Sequence, residues 1–167
     1  LNSMPRVLEE CKTFSQILRF HAQNSPDKIW LQDGVAQNKY SFKKFDQLVD
    51  RTTSYLTEKG CQTGDIVSAV INNRTEYLLL FFASQRLGSI FNPFPFSLGS
   101  EDIQKQLRFI QPKLILCQQK HFSELDGHGW NLAQIVDQKQ GGEFFKELDE
   151  YQEKFWDDFL PQGNEAA

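Results

Sequence analysis

The sequence predicts an α/β unit of three layers with a mostly parallel sheet, preceded by a hairpin and helices at the N-terminus. Three observations carry this. Short apolar runs alternate with segments of helical length and spacing, the pattern of right-handed β-α-β crossovers. Glycine or proline stands at nearly every joint, where a chain must stop one element before starting the next. The 167 residues, 40% hydrophobic and 24% charged, suffice for one folded domain without disulfides or metal.

The elements follow in order. Thr13 is placed to cap a helix reaching about Asn24, with Phe14, Ile17, Leu18 and His21 at helical spacing and Ser25-Pro26 stopping it. Lys28 to Gln32 and Ala36 to Tyr40 read as two strands turned by Asp33-Gly34. Ser41 caps a helix from Phe42 to Lys59, and Gly60 fits a left-handed C-terminal cap. Ile66 to Ile71 is a buried strand. Thr75 to Leu87 is a helix that Gly88 ends, and Ser89 to Asn92 is the next strand. Pro93-Phe94-Pro95 is expected to exclude regular structure, because proline donates no ladder hydrogen bond. Ser100 is expected to cap a helix with Glu101 and Asp102 in its first turn, ended by Pro112. Lys113 to Cys117 and Leu132 to Val136 are further strands.

Glu143 to Asp158 is expected to form one surface helix. It holds seven acids and two lysines, net −5, which leaves the rest of the chain at +1. Phe144, Phe145, Leu148, Tyr151, Phe155 and Trp156 share its other face, as in an amphipathic helix docked on a core. Residues 138–142 are the best linker candidate.

Composition narrows the function. A net charge of −4 gives no basic field for nucleic acid. The longest apolar run, Tyr77 to Ala83, is far short of the ~20 residues that span a bilayer. Cys11, Cys61 and Cys117, odd in number and widely spaced, fit free thiols in a reducing compartment, and the expected location is cytoplasmic. His21, His121 and His128 form no ligand-spaced pair, so no metal site is expected. Neither a GxGxxG nor a GxxxxGK[ST] loop is present, and there is no GxSxG elbow. Gly127-His128-Gly129 and Gly64-Asp65 read as turns, and Glu9-Glu10 and Asp157-Asp158 as solvated faces. Ligands of open parallel sheets bind beyond the carboxyl ends of the strands. There the sequence offers Asn72-Asn73 and Asn92-Pro93-Phe94, none ionisable, hence at most a binding surface. No catalytic, cofactor-binding or metal-binding residue is assigned. Taken by themselves, the residues allow a flavodoxin-like domain or an interaction module as well as part of an enzyme.

A resemblance sharpens this. Ser25-Pro26-Asp27, Ser41-Phe42-Lys43-Lys44-Phe45 with Arg51 and Leu56, Gly60-x-x-x-Gly64-Asp65-x-Val67, Asn73-x-x-Glu76-Tyr77, Leu87-Gly88-Ser89-Ile90-Phe91-Asn92-Pro93, and Glu101 to Leu116 recur in that order. Together they resemble the N-terminal portion of the adenylate-forming enzymes, the acyl-CoA synthetases and their relatives, over residues 13 to 117. Lys44 stands where that family usually has Glu. The resemblance implies a parent ligase using ATP and Mg²⁺. It would join a carboxylic acid to AMP and then to the thiol of CoA or of a carrier protein. The Thr-Ser-Gly-Thr-Thr-Gly-x-Pro-Lys phosphate loop and the later catalytic lysine of that family are not in this sequence. The expectation is therefore an inactive N-terminal fragment: residues 1–12 a tag remnant and tail, 13–137 the α/β subdomain, 138–167 an acidic amphipathic helix and truncated C-terminus. Its main partner would be the remainder of the parent chain, and exposed apolar surface is expected to favour self-association.

Overall fold

The computed structural model describes residues 11–34, 38–136, 143–151 and 154–160. The chain opens with helix α1 (Phe14–Asn24), whose Thr13 cap accepts the Gln16 N–H at 3.1 Å. Strands β1 (Ile29–Gln32) and β2 (Lys39–Ser41) form an antiparallel hairpin. The Asp33 N–H bonds the Asn38 carbonyl at 2.9 Å just before the second strand. Val35, Ala36 and Gln37 lie outside the described residues, as do Glu9-Glu10 and the linker candidate 138–142.

Helix α2 (Phe42–Glu58) starts at Ser41, which accepts the Lys44 N–H at 3.3 Å. It ends at a left-handed Gly60, φ +85°. There the Gly60 and Cys61 N–H groups close on Thr57 and Leu56, which satisfies carbonyls the helix leaves open. Asp65 takes the Gln62 N–H on its carboxylate at 2.8 Å and turns the chain into β3, as Gly64-Asp65 predicts.

The sheet is four parallel strands in the order β4-β3-β5-β6: β3 (Ile66–Val70), β4 (Ile90–Pro93), β5 (Leu114–Gln118) and β6 (Leu132–Val136). Helix α3 (Thr75–Leu87) links β3 to β4 and ends at Gly88, φ +77°. Helix α4 (Ser100–Ile110) links β4 back to β5. A short α5 (Gln119–Leu125) that the sequence reading omits leads to β6. The crossovers to β4 and to β5 run in opposite directions. A right-handed connection therefore puts α3 on one face and α4 with α5 on the other. Two cores result. One gathers Phe45, Val49, Leu56, Leu79, Leu80 and Phe144 against β3; the other gathers Ile103, Leu107, Leu125, Ile115 and Cys117.

Three expectations are corrected. Pro93 belongs to β4, paired with Ala69. The N–H groups of Ile90 and Phe94 point inward to Asp65 and Ala69. Pro93 falls on the alternate, outward position of an edge strand, where no donor is required. Gly99, not Ser100, is the N-terminal cap of α4, and Ser100 is its first residue. Glu143–Asp158 is not one helix. Helix α6 (Glu143–Glu150) stops before Tyr151, and 154–160 is an irregular strap. The strap leaves the helix because its groups are needed elsewhere. Asp158 binds Arg86 at 3.3 Å, and Phe159 packs on Gly88. Asp158 is thus a buried partner, not a solvated acid. Two of the four α6 acids are paired too: Asp149 with Arg51 at 2.7 Å, Glu147 with Lys59 at 3.1 Å.

Arg86 is the most buried charge of the described residues, 1% exposed. It donates to Asp46 Oδ1 and Asp50 Oδ1, both at 2.7 Å, to the Asp46 carbonyl at 3.2 Å and to Ser15 Oγ at 3.1 Å. Arg19 adds contacts to Asp50 at 2.9 Å and to Asp46 at 3.3 Å. Burial pushes the Asp46 carboxyl up from its ordinary 3.8, and Arg86 and Arg19 pull it back. This cluster ties α1, α2 and α3 together.

Two predictions follow from the packing. A Cβ at Gly88 would stand 2.6 Å from the Phe159 ring in a left-handed backbone. Gly88→Ala should lower the urea midpoint by an equivalent of about 2 kcal/mol or more, and Phe159→Ala should relieve part of that loss. Burial pushes Cys61 up to about 11 and Cys117 up to about 12 from the ordinary 9.0. The unfolded chain releases those protons near pH 9 while the folded one keeps them. Stability should therefore fall as pH rises from about 9 toward 11, by about 1.4 kcal/mol per unit per thiol. Calorimetry should show it, and Cys61→Ala with Cys117→Ala should flatten the slope.

Candidate functional site

Strand β3 sends the chain to one face of the sheet, whereas its neighbours β4 and β5 send it to the other. The carboxyl end of β3 is therefore the topological switch point, where a crevice opens in sheets of this kind. A crevice of about 530 Å³ is found there, between the segment after β3 and the segment after β4. Asn72, Asn73 and Tyr77 form one wall, and Phe94, Phe96 and Ser97 the other. The structure brings together Asn72-Asn73 and Pro93-Phe94, as the sequence predicts. Asn92 is not available: its side-chain amide donates to Ser68 Oγ at 3.0 Å inside the sheet. Asn72 is positioned through its backbone, whose N–H bonds Gln118 Oε1 at 2.9 Å and so ties the ends of β3 and β5.

The aromatic wall is held from below. The Phe94 N–H bonds the Ala69 carbonyl at 2.8 Å, and its ring is buried. His121, fully buried in α5, places Nε2 3.1 Å from the Phe96 carbonyl. A carbonyl only accepts, so Nε2 carries a proton. Nδ1 lies 3.2 Å from Glu124 Oε2, and the Phe96 ring meets the imidazole edge-on at 5.2 Å. The sequence reading treats His121 only as a poor metal ligand; its role as a loop anchor depends on α5, which apolar periodicity does not reveal in so short a helix.

The far wall of the crevice is shared. Asn73 and Tyr77 also border a second cavity of about 460 Å³, under the hairpin, with Asp33, Arg74 and Thr75. Thr75 Oγ donates to Asp33 Oδ2 at 3.0 Å, and burial raises Tyr40, which also hydrogen-bonds Thr75. Glu76 is 4% exposed. Burial raises its carboxyl, and its own backbone N–H and Arg74, at 3.5 Å, lower it again. The Asp33 and Glu76 carboxylates and the Arg74 guanidinium thus surround the crevice without lining it. Among the described residues its lining holds no carboxylate, imidazole or ammonium. The arrangement can bind a ligand through amide, hydroxyl and aromatic groups, and the ionisable side chain among its described lining residues is the Tyr77 phenol. Gly127-His128-Gly129 is an exposed turn with both glycines left-handed, away from these groups in role.

The family described as AMP-binding enzyme matches residues 18–161. The 4-coumarate–CoA ligase 3 of Arabidopsis thaliana is 27% identical over 113 residues, 66% of this chain and 20% of that protein. The 4-coumarate–CoA ligase 1 of Petroselinum crispum is 30% identical over 95 residues, 55% of this chain and 17% of its own length. The chain thus spans about one fifth of the curated relatives it matches. In fold, the N-terminal domain of FACL13 from Mycobacterium tuberculosis superposes with a TM-score of 0.75 at 17% identity, over 86% of this chain and 38% of that one. Apo MatB from Rhodopseudomonas palustris gives 0.73 at 18% identity, over 95% and 30%.

The loop anchor is testable. His121→Ala removes both ring contacts, takes the donor from the Phe96 carbonyl and leaves a cavity where the buried imidazole stood. Stability in urea should drop by about 2–4 kcal/mol, and amide exchange in 94–98 should quicken more than in β3. Equal protection in the variant and the parent would show that the loop does not depend on the imidazole.

Proposed function

The chain belongs to the AMP-binding enzyme family, and from that premise we propose that it is the N-terminal α/β unit of an ATP-dependent acid–thiol ligase. The observation that carries this is the match over residues 18–161, most of the described chain, laid on a parallel sheet with the superfamily's order of elements. In the whole enzyme a carboxylate would attack the α-phosphorus of ATP, giving an acyl-adenylate and pyrophosphate. A thiol, of CoA or of a carrier protein, would then take the acyl group and release AMP. The named relatives are CoA ligases of 4-coumarate, and that supports CoA as acceptor.

This unit contributes scaffold to that reaction. Its crevice offers amide, hydroxyl and aromatic surface at the switch point, fit for binding. Among the described residues no three His, Cys, Asp or Glu side chains converge as a cluster of metal ligands would. No described helix is long and apolar enough to cross a membrane. The remainder of the ligase is the expected partner.

The 167-residue chain alone should show no carboxylate-dependent ATP–pyrophosphate exchange, with 4-coumarate or a fatty acid as the carboxylate. Exchange at a rate comparable to a full-length relative, abolished by omitting the acid, would overturn the proposal that this unit is catalytically incomplete.

A further inference from the structure

The strap 154–160 is held in an unusual way. It has neither helix nor strand. Its main-chain link to the core is the Phe159 N–H on the Arg86 carbonyl, 3.1 Å. The other contacts are read by side chains of α1, α2 and α3. The Trp156 N–H donates to Asp50 Oδ1 at 3.3 Å, and the Trp156 carbonyl accepts from Arg19 Nη2 at 3.2 Å. The Trp156 indole N–H donates to Ser54 Oγ at 2.9 Å. The Phe155 ring lies 4.2 Å from the Arg19 guanidinium, and Asp158 accepts from Arg86. Asp46, Asp50 and Ser54 recur every fourth residue on α2, and Ser15 and Arg19 do the same on α1, so each helix presents its readers along one line.

Charge shows what happens when the strap leaves. Without Asp158 the buried floor holds two guanidiniums, Arg19 and Arg86, and two carboxylates, Asp46 and Asp50. It is already neutral and internally paired. Removing the strap strands no buried charge, so the usual penalty for breaking a buried ion pair does not apply. The strap is buried only in part: Phe155 is 65% exposed and Leu160 49%, whereas the Asp158 side chain is 9% exposed. A segment with few buried contacts opens locally at low cost.

We propose that α1, α2 and α3 form a groove for an acidic–aromatic peptide, and that the chain's own residues 154–160 occupy it as a releasable clasp. The groove reads an aromatic side chain over Arg19, an indole at Ser54, a carboxylate at Arg86 and a second ring at Gly88.

Hydrogen-exchange mass spectrometry of the 167-residue chain tests the clasp. Asp158→Asn and Trp156→Ala should each speed exchange in 154–160 by tenfold or more, leaving α1, α2, α3 and β3 as protected as before. Asp157→Asn, at an exposed position beside the cluster, should change nothing. Loss of protection in α2 and α3 together with the strap would overturn the proposal, since the strap would then be part of the core. An unchanged strap in both variants would overturn it as well. A fluorescein-labelled peptide of sequence KFWDDFL should bind the Trp156→Ala chain with a dissociation constant below millimolar, while KFWDNFL binds at least tenfold more weakly. Equal binding of the two peptides, or none to a chain whose clasp is open, would refute the groove.

Discussion

Everything on one face of this fold depends on how Arg86 is buried. A guanidinium cannot shed its charge, so a site that closes over it must supply acceptors in the plane of its fork. Here the acceptors come from two other helices: Ser15 on α1, Asp46 and Asp50 on α2. The three helices cannot slide or rotate independently without stranding a charge, a loss of about 3–5 kcal/mol in comparable cases. The aromatic packing around Phe45, Trp30 and Phe82, with ring centroids 4.5 to 6.0 Å apart, is built on that alignment. The hydrophobic core supplies most of the energy, and the charge cluster supplies the register.

The opposite face follows a different logic. It is apolar around Ile103, Leu107 and Leu125, and the His121 imidazole anchors the loop after β4. The crevice at the switch point therefore has one wall fixed by the parallel sheet and one fixed by a side chain from α5.

What was legible in the sequence was whatever leaves a local mark. Thr13 and Ser41 cap as expected because a hydroxyl before an apolar stripe has one good use. Gly60 and Gly88 end helices because the chain needs positive φ there. Asn72-Asn73 beside Pro93-Phe94 was legible because topology alone carries strand ends together. Long-range pairing was not. Asp46 and Asp50 sit at the border of the α2 stripe, and only Arg19 and Arg86, 27 to 40 residues away in sequence, show why they are buried. Periodicity extended the last helix to Asp158 because Phe155 and Trp156 continue its spacing; the Arg86 and Ser54 contacts that pull them away are tertiary. Pro93 looked like a breaker because sequence does not tell an edge strand from a central one.

That proline has a consequence for how this unit can meet any neighbour. On the outer edge of β4 the alternate positions are those of Phe91 and then Pro93, so main-chain donors end where the crevice begins. A foreign strand could be zipped along the first half of this border and no further. At the mouth of the crevice this border offers the Pro93 carbonyl as an acceptor and no donor beside it, so strand addition loses its ladder there.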